Sequence, residues 1–133
     1  MIQGINHITF TVHDIGRSFD FYSRVLGMKK VMKSERDAYL VAGTVWVALV
    51  CDKTEETSDY THIAFHVEKE EYEKTVFALK AYGVQEWREN TTEGESFYFK
   101  DPCGNKLELH YSTLENRIES RKGCRDRNVM WYV

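Results

Sequence analysis

The chain has 133 residues, 42% hydrophobic and 14% aromatic, with a single proline, which marks an ordered globular protein and argues against a disordered one. Its net charge of −3, with both signs interspersed, gives no electrostatic basis for binding nucleic acid or a membrane surface. No apolar run approaches membrane length and the first strand-like run starts a few residues after Met1, so neither a span nor a signal peptide is expected, and a cytoplasmic location is.

Residues 4–12 alternate and are rich in β-formers, the pattern of a strand. Asp14 then reads as a helix N-cap, and Ile15, Phe19, Tyr22 and Leu26 line one face of a helix running to Gly27. Strands are predicted at about 28–34, 37–42 and 45–50, with Ala42-Gly43-Thr44 as a hairpin turn. The polar run 51–59 is a linker. A second set follows: a strand from Tyr60, a helix over roughly 69–82, and strands at about 84–88, 96–100 and 106–111. Asp101-Pro102-Cys103-Gly104 has the residues of a type I turn, so the last two strands should form a hairpin. A short helix containing Leu114, Arg117, Ile118 and Arg121 opens the tail, and the apolar end Met130-Trp131-Tyr132-Val133 is expected to dock.

The two sets are copies of one module. His7-Ile8-Thr9-Phe10-Thr11-Val12 reappears as His62-Ile63-Ala64-Phe65-His66-Val67, and a glycine follows each histidine after 20 and 21 positions, at Gly27 and Gly83. The predicted class is α+β, with two βαβββ modules whose curved mixed sheet surrounds a cavity. The domain is a single unit, 1–133, with module one at about 2–50, module two at about 60–111, and a C-terminal helix and tail at 112–133. A module of about 60 residues buries too little surface to stand alone, so the modules should pack on each other, on a second chain, or both.

Strand parity brings polar groups onto shared faces: Ile5, His7, Thr9 and Thr11; Tyr60, His62, Ala64 and His66; Lys106, Glu108 and His110. A lone histidine inside a strand-like run is more often a surface or hydrogen-bonded core residue than a ligand, but its repetition at equivalent positions, with an acidic residue on the closing strand of the second module, favours a metal centre. His7, His62 and Glu108 would form it, a borderline donor set suited to Mn, Fe, Co, Ni or Zn. Aligning Gly43 with Gly104 sets Val47 against Glu108, so the first module offers no fourth ligand. His13 reads as a turn residue, His66 as lateral to the site, and His110 as a group behind it or at the surface. Arg88, Tyr98, Arg117 and Thr9 are candidates for a phosphate-like anion. The loop 90–96 is dense in oxygen donors, as a monovalent-cation site would be. Cys51, Cys103 and Cys124 follow neither a CxxC nor a disulfide-framework spacing and read as free thiols.

Over residues 2–121 the chain resembles the vicinal oxygen chelate superfamily, and more closely its FosA-type fosfomycin-resistance thiol transferases. The carriers include Gly4-Ile5-Asn6-His7-Ile8-Thr9, Asp59-Tyr60-Thr61-His62, Glu93-Gly94-Glu95-Ser96-Phe97-Tyr98-Phe99, Lys106-Leu107-Glu108-Leu109-His110 and Leu114-Glu115-Asn116-Arg117. The resemblance implies a homodimer with paired modules exchanged between subunits, so that His7 of one chain meets His62 and Glu108 of the other. It implies Mn(II) as metal and potassium bound through Asn90, Thr92, Gly94 and Ser96. It also implies glutathione as cosubstrate and addition of its thiol to the epoxide of fosfomycin. Thr9, Tyr98 and Arg117 match positions that contact the phosphonate and serve catalysis; Tyr39 matches one near the thiol, and Arg88, Trp46 and Tyr60 complete the substrate site. Arg88 departs from a usual Lys, Thr91 from a usual Arg and Thr92 from a usual Ser. The segment Ser34-Glu35-Arg36-Asp37 adds carboxylates near the cosubstrate entrance and keeps an epoxide hydrolase open. A glyoxalase-type isomerase and a drug-binding protein are the other readings.

Overall fold

Alternation along β1 (His7–Val12) divides its residues cleanly: Phe10 and Val12 are buried, while His7 and Thr9 face outward. Asp14 caps the next helix by accepting from the Arg17 N–H at 3.0 Å. That helix, α1 (Ile15–Asp20), turns into a π-helical turn (Phe21–Val25) in which the Leu26 N–H reaches the Phe21 carbonyl at 3.1 Å. The expected uninterrupted helix is thus corrected. The wider turn buries both Phe21 and Tyr22, and Ser23 donates back to the Phe19 carbonyl within it (2.6 Å). β2 (Lys29–Lys33), β3 (Asp37–Ala42) and β4 (Val45–Cys51) complete module one. The β3–β4 connection is the two residues Gly43 and Thr44, with Gly43 left-handed at φ 61°.

Module two repeats the order with β5 (Ile63–His66), α2 (Lys69–Tyr82), β6 (Glu86–Arg88), β7 (Ser96–Lys100) and β8 (Lys106–His110), and α3 (Leu114–Lys122) follows. β5 starts after His62 rather than at Tyr60, and β6 is shorter than expected. The computed structural model describes residues 1–55, 58–90, 95–124 and 128–133. The two sheets have the same topology, β1-β4-β3-β2 and β5-β8-β7-β6, with the outer pairs β1–β4 and β5–β8 parallel. The ligand candidates His7 and His62 therefore belong to edge strands or their immediate approach.

Register corrects one expectation. His7 lies opposite Trp46 and Thr9 opposite Ala48, while Ala64 lies opposite Glu108. Equating His7 with His62 thus equates Ala48, not Val47, with Glu108. The two-residue turn at Gly43 is shorter than the connection after Lys100, so aligning the turn glycines slips the strands by one. Ala48 cannot ligate either. The same register makes Tyr39 the counterpart of Tyr98, opposite Ala48 and Glu108 respectively.

The modules share one apolar cluster, in which Phe21 of module one lies 6.4 Å from Phe99 of module two and Phe10 lies 6.5 Å from Phe65. The turn 101–105 closes the seam. The Asp101 carboxylate accepts from the Tyr22 hydroxyl (2.7 Å), from the Asn105 amide (2.8 Å) and from the N–H groups of Cys103 and Asn105, while the Asn105 side chain donates to the Thr11 carbonyl. Beside it the Cys103 thiol accepts from the His13 N–H. All three thiols are free. Within a single chain α3 buries none of its residues, and Met130, Tyr132 and Val133 are exposed. Trp131 meets only the Lys122 ammonium among the ring contacts of the described residues, at 5.0 Å.

Burial, and next the Asp101 charge, raise the Tyr22 hydroxyl well above its usual value of 10.0, and burial raises Tyr72 to about 12. Protonated phenols are thus favoured by the folded state, a contribution present in full below about pH 10 and lost as pH rises beyond it. Denaturant midpoints measured against pH should stay level up to pH 10 and then fall. Tyr22→Phe should cost about 1.5–3 kcal/mol at neutral pH by leaving Asp101 short of a donor, and should flatten the alkaline fall.

Candidate active site

The open face of module two gathers around His62. Its Nδ1 lies 2.8 Å from the Tyr60 carbonyl, which only accepts, so Nδ1 carries the proton. In the neutral ring Nε2 is then a lone pair, and it lies 2.9 Å from Oε1 of Glu108. Two electron-rich atoms this close are stable only with a proton or a metal cation to share, and one imidazole with one carboxylate is a donor pair suited to a divalent ion. Glu108 is 7% exposed, and its other oxygen, Oε2, accepts from the Ser96 hydroxyl at 2.8 Å.

Aromatic rings wall this pair. Tyr60, Trp87 and Tyr98 stand 4.9, 5.2 and 5.9 Å from the His62 ring, and Trp87 and Tyr98 meet edge to face at 5.2 Å. Trp87 is fixed by its indole N–H, which is shared between the carbonyls of Phe99 and Leu107. The Arg88 guanidinium lies 4.4 Å over Tyr60 and 5.7 Å from Tyr98, and the Lys106 ammonium lies 5.4 Å over Trp87. Two cations therefore rim a site whose floor is His62 and Glu108, a setting for an anionic ligand. Burial, and then the Glu108 charge, raise Tyr98, which is 2% exposed, so its phenol stays a hydrogen-bond donor at neutral pH.

The remaining candidates lie elsewhere. His7, Thr9, Tyr39 and Trp46 share the open face of module one, with Trp46 4.4 Å from His7 and 5.1 Å from Tyr39. Among the described residues of one chain, no three histidine, cysteine or acidic groups converge to hold a metal ion. A single chain thus does not bring His7 to His62 and Glu108. Arg117 is half-buried on α3 and has partners of its own, as do Asn90 and Arg88. Thr91, Thr92 and Gly94 lie outside the described residues. Asp37 shares the face of Tyr39, but its carboxylate is held by the Ser34 hydroxyl; Glu35 is exposed. A cleft of about 670 Å³ lies between the modules; Ile8, Met28, Val41 and Phe65 line it, and His62 and His66 are its ionisable lining groups among the described residues.

Sequence reasoning missed Trp87 as a wall of the site and Ser96 as the partner of Glu108. The second was within reach: the Asp101–Gly104 turn fixes a hairpin in which Ser96 pairs with His110 and Tyr98 with Glu108.

With this geometry in view, the comparisons with known proteins are specific. A profile of the glyoxalase/bleomycin resistance protein/dioxygenase superfamily matches residues 4–109, and the chain belongs to that superfamily. Within it, the chain is 39% identical over 132 residues to the glutathione transferase FosA of Serratia marcescens, covering 96% of this chain and 92% of that protein. It is 38% identical over 129 residues to the metallothiol transferase FosB of Staphylococcus saprophyticus, covering 92% and 85% respectively. The crystal structure of the fosfomycin resistance protein FosX from Listeria monocytogenes, complexed with Mn(II) and sulfate, superposes with a TM-score of 0.82 at 29% identity, covering 91% of this chain and 99% of that one. The sequence-based resemblance is therefore correct at the level of family and fold; the homologues are fosfomycin-resistance enzymes. Among the described residues no helix is long and apolar enough to cross a membrane.

Trp87 and Trp46 each lie within ring contact of a ligand candidate and Trp131 does not. Adding Mn(II) should quench tryptophan fluorescence, with Trp87→Phe and Trp46→Phe each removing part of the response and Trp131→Phe none of it.

Proposed function

We propose that this protein inactivates fosfomycin by adding a thiol, glutathione, to its epoxide, using a divalent cation, Mn(II), held by His62 and Glu108 of one copy and His7 of a second. The observation that carries this reading is the meeting of His62 Nε2 and Glu108 Oε1 under the cationic rim of Arg88 and Lys106. One chain leaves His7 apart from that pair, and β1, which carries His7, and β5, which follows directly on His62, are both sheet edges, which a second copy can cover.

When bound, the cation supplies Lewis acidity to the epoxide oxygen as its bond to carbon breaks. The protein's share is to bind and orient. Arg88, with Thr9, Tyr98 and Arg117, holds the phosphonate; the neutral phenol of Tyr98 donates to an anionic oxygen at no cost in charge. Tyr60 and Trp87 hold the His62 ring and keep water from its flank. Tyr39 and Trp46 offer the thiol cosubstrate an aromatic shelf. The thiolate forms a bond to one ring carbon, the carbon–oxygen bond there breaks, and the released oxygen takes up a proton. Potassium, through Asn90, Thr92, Gly94 and Ser96, belongs to the same proposal.

A second reading is hydrolysis of the epoxide. A FosX mutant structure, 29% identical, holds Mn(II) and 1S,2S-dihydroxypropylphosphonic acid, a vicinal diol, and Asp37 lies on the module-one face that carries Tyr39.

Phosphorus NMR of fosfomycin incubated with the protein and Mn(II), with and without glutathione, separates the two. A glutathione adduct that disappears with His62→Ala supports the transferase. Diol without thiol, lost on replacing Glu35 or Asp37, would transfer the assignment to the hydrolase, and no consumption of fosfomycin in either tube would overturn both. The shared site has its own test. Mixed His7→Ala and His62→Ala chains, each inactive alone, should regain about a quarter of wild-type activity, because half of randomly paired dimers rebuild one of two sites. Ligands drawn from one chain would give no recovery.

A further inference from the structure

Glu108 is held by more than its metal-facing contact. Ser96, 5% exposed, donates its one proton to Oε2 of Glu108 at 2.8 Å, and its oxygen lies 2.6 Å from Nδ1 of His110. A hydroxyl that has given its proton to a carboxylate can only accept from a ring nitrogen, so His110 carries its proton on Nδ1. The order is His110 Nδ1–H to Ser96 Oγ, then Ser96 O–H to Glu108 Oε2; the His110 nitrogen itself stays 3.5 Å from that oxygen. The chain of donors occupies Oε2 and leaves Oε1 turned to His62. β7 and β8 fix it, since Ser96 pairs with His110 across the hairpin. Module one has no equivalent: the matching positions are Asp37, Ala48 and Val50.

We propose that Ser96 and His110 are positioning residues of the metal centre, which present Glu108 as a one-oxygen ligand through Oε1. The proposal rests on the metal reading above and adds to it the residues that aim the carboxylate. A ligand left free to rotate must be ordered when the ion binds, so loss of such partners weakens metal affinity by roughly 10–100-fold. The role is specific to the hydrogen bond, not to the bulk of the ring: an asparagine amide can stand where Nδ1–H stands, and alanine cannot.

The test is the Mn(II) dissociation constant, read by electron paramagnetic resonance of free Mn(II) in potassium-free buffer without substrate. Potassium is omitted so that a role of Ser96 in holding that ion is not what is read. Ser96→Ala should weaken binding about 10–100-fold, and His110→Ala by a smaller factor in the same direction. His110→Asn should restore binding to near the wild-type value, and the unfolding temperature of the metal-free protein should be the same for His110→Ala and His110→Asn. Wild-type affinity in both alanine variants would overturn the proposal while leaving the metal centre standing. Equal weakening in His110→Ala and His110→Asn would overturn the hydrogen-bond role. A wild-type protein that binds no divalent ion would overturn the metal reading and this proposal with it.

Discussion

The hydrogen-bonded burial of Asp101 governs both the docking of the modules and the geometry of the site. Its carboxylate takes four donors, two from the backbone of its own turn and two from side chains, and one of these, Tyr22, comes from the other module. The backbone donors fix the turn, and the turn fixes the hairpin register that sets Tyr98 beside Glu108 and Ser96 beside His110. Tyr22, fully buried, ties the same turn to the helix of module one. A buried carboxylate is tolerable only when its oxygens are satisfied, so the register of the site and the packing of the two modules stand or fall together.

On this shared frame the two modules have diverged in what their open faces carry. Strand order, parallel pairing and the position of the first histidine are the same in both. Module two adds Glu108, the ring wall of Tyr60, Trp87 and Tyr98, and the cations Arg88 and Lys106. Module one has Ala48 where the carboxylate would be and an aromatic shelf of Tyr39 and Trp46 beside His7. One face is therefore built to hold charge and the other to offer surface. A duplicated scaffold reaches this division by changing side chains on one face only, because the opposite face is committed to the common core.

Much of this was legible in the sequence because it is encoded locally. The repeated histidine motif, the Asp14 cap, the helix at 69–82 and the Asp101-Pro102-Cys103-Gly104 turn are short-range signals, and each predicts an element seen in the structure. What escaped depends on long-range packing. The π-helical turn arises where Phe21 and Tyr22 both enter the core, which no periodicity announces. The one-residue slip between Val47 and Ala48 came from equating turns of different length. Trp87 is a wall of the site because its indole is anchored to carbonyls of two other strands, a contact that requires the sheet to exist first. The tail reads as apolar and is apolar, and among the described residues Met130, Tyr132 and Val133 stay exposed.

The edge position of β1 and β5 has a bearing on how a single chain behaves. Each strand has one row of backbone groups paired and the other available within its sheet, and such rows adhere to other strands without regard to sequence. Ile2 and Ile5, both exposed, extend the apolar surface on the approach to β1. A chain whose β1 and β5 edges stay uncovered is for that reason prone to associate in irregular ways. A substitution that alters either edge would therefore register first in the yield of protein.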